Sequence, residues 1–351
     1  MPGCGSYRMK RAGIHNPYWD SLGGGERYTA AFVKLLLDQS WQVDILWPKD
    51  ISASIKDRFG IDVSAAKFMS RSNYPLSTIP YSLLFWVSDG SLPTSLAKIT
   101  IVHFQFPLAG IGGKSLPNLI KSRLYKFVAN SQLTKETVDH EFGVSCQVIY
   151  PPIDTSLFKT AKKQNLIIYI GRFSHLTQLK NHSVLIDTFY RLHSKIPGWK
   201  LILAGGTSVG TTVSTISNLK DQARGLPIEF VLDPDFKTIR DLCSRAKIFW
   251  SASGFTPTGS TPALKTEHFG ITVVEAMAAG AVPVITNLGG HKEIVEPGHS
   301  GFLWDNLAEL QSFTVRLISD SDLANRLSQA AIVRSKIFDI SQFNQKFAKF
   351  I

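Results

Sequence analysis

Residues 267–280 read Glu-His-Phe-Gly-Ile-Thr-Val-Val-Glu-Ala-Met-Ala-Ala-Gly and contain two carboxylates that lie eight positions apart. If Gly270 begins a helix and Gly280 ends it, Glu267 lies in the preceding loop. Glu275 then lies about one turn into the helix, because one turn takes about 3.6 residues. The pattern therefore predicts an apolar helix with one carboxylate before it and one inside it, both at the same end.

The start of this predicted helix favours a negatively charged ligand. The N–H groups of Gly270 and Ile271 have no acceptor one turn earlier, so they point out of the helix end. The helix dipole adds positive potential there, which favours a phosphate or diphosphate. Two carboxylates beside such a group are suited to binding hydroxyls. A nucleotide sugar combines these features and is the predicted ligand.

Two further motifs accompany this segment. A glycine and a cation follow an apolar run in Gly171-Arg172-Phe173, and a second cation follows in Lys180-Asn181-His182. Near the start stands the run Gly23-Gly24-Gly25-Glu26-Arg27. With the Glu267–Glu275 segment, these motifs resemble the large retaining glycosyltransferase family with the two-domain GT-B fold, glycosyl transferases group 1 or family 4. They cover both halves of the chain in the family's order.

The resemblance implies a role for each motif residue. Arg172 and Lys180 would neutralise the diphosphate as it leaves, Glu267 would lie near the transferred sugar, and Glu275 near the ribose hydroxyls. His103 ends the apolar run Thr100-Ile101-Val102-His103, and side chains at the carboxyl ends of parallel strands reach ligands. The resemblance therefore implies a role for His103 near the transferred sugar. The alternatives are that Arg172 and Lys180 are solvated surface cations. Glu275 would then be an exposed helical residue and His103 a structural histidine.

The glycine run is predicted to form a loop before a helix, because glycine adopts backbone conformations that side chains forbid. On the family resemblance, Gly24 and Gly25 approach the donor phosphates, as Gly270 and Ile271 do. A simple turn is the alternative. Glu26 and Arg27 are interpreted as capping or packing groups. Asn130 and Ser131 are further candidate ligand contacts.

Strand-like and helical segments alternate along the chain, which predicts an α/β fold with parallel sheets. The predicted segments include strands at residues 99–103 and 228–232 and helices near residues 116–127 and 236–245. The resemblance implies two Rossmann-like domains that face each other across a cleft. Residues 1–152 are expected to form the acceptor-side domain and 153–340 the nucleotide-sugar domain. Residues 341–351 are expected to cross back to the first domain. The hinge is placed at Tyr150-Pro151-Pro152, because consecutive prolines interrupt both strands and helices.

The formal net charge of +11 is the unusual part of the composition. Such a charge attracts nucleic acid, an anionic membrane surface or an anionic substrate. The cations are scattered, without a basic run or zinc-finger spacing, so nucleic acid is not expected and an anionic membrane surface is the first candidate partner. Without a run of about 18 apolar residues, the protein is expected to be cytoplasmic or peripheral on the cytoplasmic membrane face. Three distant cysteines predict reduced thiols. Residues 1–8 are expected to be either a disordered extension or a misassigned start.

Three weaker signals are set aside. Gly113-Lys114-Ser115 resembles the end of a phosphate-binding P-loop, but Leu108 occupies the position of that motif's first glycine. Asp233-Pro234-Asp235 resembles a metal-binding carboxylate pair, yet Asp235 precedes a predicted helix and suits its N-cap. The apolar run 81–87 suits a buried strand better than a membrane contact.

The predicted activity is transfer of a hexose, first of all mannose, from a nucleoside-diphosphate sugar to a hydroxyl of a glycan or lipid-linked acceptor. The resemblance implies that the anomeric configuration is retained and that no metal or other cofactor is needed. Glu267→Gln and Lys180→Ala are each expected to lower transfer by orders of magnitude while leaving thermal unfolding nearly unchanged. A nucleotide-sugar epimerase on the same fold and a non-enzymatic basic protein that binds membrane surfaces are the alternatives.

Overall fold

The structure is a computed structural model that describes residues 10–70, 81–174, 178–207, 210–257, 259 and 261–351. The chain divides into two compact units. The first contains the described residues up to Asn130, Thr134–Ile149 and Asn344–Ile351, and the second contains Ser131–Leu133 and Tyr150–Phe343. The expectation about residues 1–8 falls outside the described residues.

The first unit is a parallel sheet with helices on its faces. Its seven described strands lie in the order β3-β2-β1-β4-β5-β6-β7. They are β1 (Arg11–His15), β2 (Gln42–Ile45), β3 (Lys67–Phe68), β4 (Leu83–Val87), β5 (Ile99–Phe104), β6 (Lys126–Ala129) and β7 (Gln147–Val148). The helices in this half of the chain are α1 (Gly24–Asp38), α2 (Ser52–Phe59), α3 (Leu116–Ser122) and α4 (Gln132–Phe142).

The strand interpretation of residues 81–87 is confirmed. Every residue of β4 is buried, as expected for a central parallel strand that is covered on both faces. The predicted helix from Leu116 to Phe127 was too long. Helix α3 ends at Ser122, because the chain from Lys126 pairs with β5 and buries Phe127 and Val128 in the sheet.

The second unit is also a parallel sheet, with six described strands in the order β10-β9-β8-β11-β12-β13. They are β8 (Gln164–Ile170), β9 (Lys200–Gly205), β10 (Ile228–Leu232), β11 (Ala246–Ser251), β12 (Val282–Thr286) and β13 (Phe302–Trp304). The helices are α5 (His182–Leu192), α6 (Val213–Gln222), α7 (Phe236–Arg245), α8 (Ile271–Ala278), α9 (His291–Ile294), α10 (Leu307–Ser319) and α11 (Ser321–Ser335). A last helix, α12 (Ile340–Ala348), ends in residues that belong to the first unit.

The strand orders locate the two places where a ligand site is expected. In open parallel sheets, ligands bind beyond the carboxyl ends of the strands at the point where the strand order reverses. That point lies between β1 and β4 in the first unit and between β8 and β11 in the second. The Gly23–Gly25 motif follows β1, and the Gly171–Phe173 motif follows β8.

Residues 344–351 pack in the first unit through Phe347. Its ring lies 4.6 Å from that of Phe32 and 6.2 Å from that of Phe85, measured between centroids. Cys146 and Cys243 are free and buried, and Cys4 lies outside the described residues. Within the described part of the chain, every helix is too short or too polar to cross a bilayer.

Candidate functional site

The helix predicted between Gly270 and Gly280 is confirmed as α8, and Gly270 is its N-cap. Gly270 has a φ of 115°, a conformation that L residues rarely adopt, so glycine allows this abrupt entry into the helix. The hydroxyl of Thr272 donates a 3.0 Å hydrogen bond to the carbonyl of Ile170. This bond ties the first turn of α8 to the carboxyl end of β8, at the point where the strand order reverses.

Lys180 and Glu267 form a buried ion pair at this end of the sheet. The Nζ of Lys180 lies 2.6 Å from Oε2 of Glu267, and the side chains are 11% and 15% exposed. The amide of Gln178 lies 3.4 Å from the other carboxylate oxygen. Burial by itself raises the pKa of Glu267, but the Lys180 ammonium and the neighbouring His291 outweigh it and lower that pKa to about 2. Glu267 is therefore an anion at neutral pH.

Contacts of the next residue, Asn181, explain how Lys180 reaches Glu267. Asn181 adopts a left-handed conformation with a φ of 53°. Its side-chain amide donates 2.8 Å hydrogen bonds to the carbonyls of Ala252 and Phe255 in the loop after β11. Asn181 thus joins the loop before α5 to the end of β11, and this connection holds Lys180 at the site.

Two histidines beside Glu267 are neutral at pH 7, because burial lowers the pKa of His268 and of His291 to about 4. The hydroxyl of Thr286 donates to the carbonyl of Ser253 at 2.8 Å, so it accepts from Nδ1 of His291 at 3.0 Å. This arrangement leaves Nε2 of His291 as an acceptor, and it is buried without a partner among the described residues.

His291 was not predicted from the sequence, although a local signal precedes it. Gly289 and Gly290 follow β12 and pass close to the Glu267 backbone. A Cβ at Gly289 would lie 2.3 Å from the Glu267 carbonyl, and the N–H of Gly290 donates to that carbonyl at 2.8 Å. A glycine pair that begins three residues after a buried strand is the signal that could have identified this loop.

Arg172 is placed at the end of β8 by another close backbone approach. A Cβ at Gly205 would meet the Gly171 carbonyl at 1.9 Å, so glycine lets the chain pass here. Arg172 is half-buried and has no hydrogen bond or ion pair to any described residue. Its charge contributes to the lowered pKa of His268, after burial and together with Lys180. Arg172 is therefore a cation without a partner among the described residues, next to the ion pair of Lys180 and Glu267.

Glu275 lies in the second turn of α8 and is only 2% exposed. The alternative of an exposed helical glutamate is therefore wrong. After burial, the Glu275 charge further raises the pKa of Cys243. Arg172, Lys180, Glu267, Gly270 and Ile271 thus cluster where α8 begins, and Glu275 lies inside the helix.

His103 was expected near the transferred sugar, but its ring is fully buried between two aromatic rings. The centroid distances are 4.0 Å to Tyr28 and 5.6 Å to Phe85. Burial lowers the pKa of His103 to about 3, so it is neutral. Strand β5 continues through Phe104, which leaves His103 inside the layer between the sheet and α1.

Gln105, two residues further along, lies just beyond the end of β5. Its Oε1 is buried without a partner among the described residues, and a Cβ at Gly25 would meet that atom at 1.6 Å. Gly25 therefore lets Gln105 lie against the start of α1, which begins at Gly24. The amide of Asn130 donates to the Gln105 carbonyl at 3.0 Å and fixes this position. The capping role of Glu26 is confirmed by its hydrogen bond from the N–H of Gly23 at 2.8 Å.

The carboxylates of the Asp233-Pro234-Asp235 segment have structural partners. Asp235 accepts a 2.7 Å hydrogen bond from the N–H of Thr238 and caps α7, as predicted. Asp233 accepts a 2.8 Å bond from the N–H of Thr207. Within the described ranges, no group of three or more His, Cys, Asp or Glu side chains is placed to hold a metal ion.

Comparison with protein families gives one match that covers more than half of the chain. The family model of glycosyl transferases group 1 matches residues 153–334. This range contains Arg172, Lys180, Glu267 and Glu275, and it includes all six strands of the second sheet.

The names of several curated relatives specify the same sugar donor, GDP-mannose. A GDP-Man:Man(3)GlcNAc(2)-PP-Dol alpha-1,2-mannosyltransferase of Dictyostelium discoideum is 27% identical over 230 residues, covering 60% of this chain and 43% of the relative. The Homo sapiens protein of that name is 27% identical over 221 residues, with coverages of 58% and 42%. A GDP-mannose:cellobiosyl-diphosphopolyprenol alpha-mannosyltransferase of Komagataeibacter xylinus is 29% identical over 199 residues, with coverages of 54% and 46%. The chain thus spans less than half the length of these relatives.

Solved structures match over nearly the whole chain. A glycosyltransferase from Rickettsia africae ESF-5 has a TM-score of 0.76 at 17% identity and covers 98% of each chain. Anabaena Alr3699/HepE, solved with UDP and glucose, has a TM-score of 0.68 at 16% identity, with coverages of 97% and 98%. These likenesses confirm the predicted α/β fold with two Rossmann-like, parallel-sheet domains, the GT-B class.

Proposed function

The chain belongs to the glycosyl transferases group 1 family, and from that premise we propose the reaction that it catalyses. It transfers a mannosyl residue from GDP-mannose to a hydroxyl of a glycan carried on a polyisoprenyl diphosphate, and the anomeric configuration is retained. The observation that carries the proposal is the anionic Glu267, paired with Lys180, where α8 begins and β8 ends.

The donor and acceptor are supported by the names of the relatives. The three relatives described above are named for GDP-mannose as donor, and their names specify acceptors linked through a diphosphate to a polyisoprenoid lipid. Because the chain aligns with less than half of each relative, donor and acceptor enter here as proposals. A polyisoprenoid acceptor places the reaction at a membrane surface, and we propose its cytoplasmic face. The two buried free thiols suit a reducing compartment.

The diphosphate of the donor is proposed to bind at the amino end of α8. The helix end offers N–H groups and positive potential, and Arg172 and Lys180 supply two cations beside it. These groups stabilise the negative charge that develops on the leaving diphosphate, in a setting shielded from water. No metal or other cofactor is required in this proposal, because the chain's own cations take that part. Glu275 remains the predicted partner of the ribose hydroxyls.

The protonation states suggest where the acceptor proton goes. The pKa of Glu267 is about 2 and the pKa values of His268 and His291 are about 4, so all three are weak bases and none readily takes up the acceptor proton at pH 7. In the proposed step, the bond from the anomeric carbon to the diphosphate oxygen breaks and a bond to the acceptor oxygen forms on the same face. The acceptor proton passes to the departing diphosphate oxygen. The Glu267 carboxylate stabilises the positive charge that develops on the sugar.

The test is transfer from radiolabelled GDP-mannose to a synthetic polyprenyl-diphosphate oligosaccharide, with and without EDTA. We expect an α-linked mannoside by NMR, undiminished by EDTA. Glu267→Gln should reduce the rate by about 100-fold or more, since it removes a charge that acts in the transition state. The exposed Glu229→Gln is the matched control and should be unaffected.

Other outcomes would identify a different activity. Conversion of the sugar nucleotide without an acceptor would indicate an epimerase, and a β-linked product would exclude retention. Absence of both turnover and GDP-mannose binding, together with binding to lipid, would favour a non-enzymatic membrane-binding protein.

A further inference from the structure

Helix α3 and two adjoining loops carry an unusual amount of exposed apolar surface. Helix α3 itself buries none of its seven residues, all of which are described. A helix that buries nothing gains little stability from the core, and exposed apolar clusters of this kind mark interaction sites. We call this region the α3 surface, and its exposed large apolar residues are Leu96, Ile111, Leu116, Leu119, Ile120 and Leu124.

Four of these side chains form one stripe. Three or four positions separate Leu116 from Leu119 and Ile120, and four separate Ile120 from Leu124. These side chains therefore lie on the same side of α3 and of the turn that follows it. Leu116 and Leu124, at the two ends of the stripe, are each 73% exposed. The stripe therefore faces solvent along its whole length.

Hydrogen bonds join the stripe to the loop that carries Leu96. The Nζ of Lys121 donates to the Leu92 carbonyl at 2.9 Å, and the hydroxyl of Tyr125 donates to the Pro93 carbonyl at 3.0 Å. The N–H of Ser95 donates back to the Tyr125 hydroxyl at 3.2 Å. Leu96, which is 72% exposed, thus belongs to the same surface.

The loop before α3 is fixed by a single carboxylate. Glu141 accepts hydrogen bonds of 2.8 to 3.0 Å from the N–H groups of Gly110, Ile111 and Gly113. The amide of Asn118 donates to the Gly113 carbonyl at 3.0 Å. These bonds hold Ile111 beside the helix, so the apolar residues project from an ordered scaffold.

Cations predominate on this surface. The sequence contains no Asp or Glu between Gly90 and Lys135. The carboxylate of Glu141, the acid that contacts the loop, is taken up by three backbone N–H groups. The cations in and beside the α3 surface are Lys98, Lys114, Lys121, Arg123 and Lys126. An apolar stripe within a field of cations is complementary to lipid chains below anionic head groups.

We propose that the α3 surface docks on an anionic lipid bilayer, with the leucine stripe entering the interface and the cations contacting the head groups. Helix α3 would then lie in the plane of the interface and not cross it, as its seven residues are too few for a span. The proposal rests on the proposed function for its purpose, since a lipid-linked acceptor is presented at such a surface. Its test is independent of donor binding.

The experiment is co-sedimentation of the full chain with vesicles of phosphatidylcholine, with and without phosphatidylglycerol. The wild type should bind the anionic vesicles and bind neutral ones weakly. A triple variant, Leu116→Ser, Ile120→Ser and Leu124→Ser, should lower the partition coefficient by about thirtyfold or more, because each of the three positions loses apolar burial in the bilayer. Lys114→Gln with Arg123→Gln should lower binding to anionic vesicles alone, by about 20-fold at low salt.

Matched controls use exposed side chains of the second unit. Val213 and Val333 are 90% and 65% exposed, and changing both to Ser should leave vesicle binding intact. The melting temperature of the triple variant should equal that of the wild type, because the helix buries nothing. Thermal stabilisation by GDP-mannose should also be unchanged, which separates this proposal from the proposed function.

Three results would overturn the proposal. The wild type could bind neutral and anionic vesicles equally, or the triple variant could retain full binding. The chain could instead leave vesicles unbound and form a dimer that the triple variant dissociates, which would assign the α3 surface to self-association.

Discussion

Replacing Lys180 by methionine tests the buried ion pair, because it removes the ammonium group and keeps most of the apolar stem. Glu267 would then be a buried anion without its partner at 2.6 Å. The pKa of Glu267 is about 2 in the folded protein against 4.5 ordinarily. Each pKa unit corresponds to about 1.4 kcal/mol, so the difference of about 2.5 between the two pKa values corresponds to a contribution of up to about 3.5 kcal/mol from the pair and its neighbours. Replacing Lys180 should therefore lower the stability of the protein substantially. This differs from the sequence-based expectation that Lys180→Ala leaves unfolding nearly unchanged.

The loss of stability in Lys180→Met should depend on pH. A carboxyl group whose pKa is depressed by folding stabilises the native state above its unfolded pKa and loses that contribution as the pH falls. The free energy of unfolding of the wild type should therefore exceed that of Lys180→Met most at pH 7. The difference should shrink as the pH falls from about 4.5 towards 2.

Urea denaturation followed by circular dichroism at several pH values measures this difference. Lys220→Met, at an exposed cation of α6, is the matched control and should stay within about 0.5 kcal/mol of the wild type. A loss at Lys180 no larger than that of the control, or one that does not change with pH, would refute the ion-pair reasoning.

Three substitutions test the backbone geometry and packing. Gly25→Ala should destabilise the protein by about 1–3 kcal/mol, because the new Cβ would meet Gln105 Oε1 at 1.6 Å, and adding Gln105→Ala should restore most of the loss. Gly270→Ala should cost about 1–2 kcal/mol at its positive φ, measured by chemical denaturation. Lys163→Met should lower the free energy of unfolding by about 1–3 kcal/mol. The Nζ of Lys163 donates to the carbonyls of Cys243 near the end of α7, Ala246 at the start of β11 and Ala279 after α8. Unchanged unfolding curves would contradict the corresponding contact.

The fold could be predicted to the extent that its signals are local. Strand β10 and helix α7 were predicted with the bounds that the structure shows, because an apolar strand and a capped amphipathic helix are each encoded in a few adjacent residues. Helix α4 was missed because it buries only Thr134, Val138 and Phe142, a sparse signal with a polar member. The two-residue strands β3 and β7 exist through pairing with a neighbour, which a single segment does not encode.

The site shows the same division. Gly270 was found because a glycine before an apolar helical run is a local signal. The ion pair between Lys180 and Glu267 joins residues 87 positions apart, so the sequence suggested both residues but not their contact. His103 was misplaced because the predicted strand ended one residue early, and the end of a strand decides whether a side chain lies in the core or beyond it. Gln105 was overlooked for the same reason.

Calorimetric titration of GDP-mannose into the wild type and into Arg172→Ala tests the central claim most directly. Arg172 has no ion pair or hydrogen bond within the described part of the chain, so its removal should leave the melting temperature unchanged. If the diphosphate binds where β8 ends and α8 begins, the variant should lose about 10- to 100-fold in affinity, as expected for one charge-assisted contact. Equal affinities for the two proteins, or no binding by the folded wild type, would contradict the assignment of the donor site.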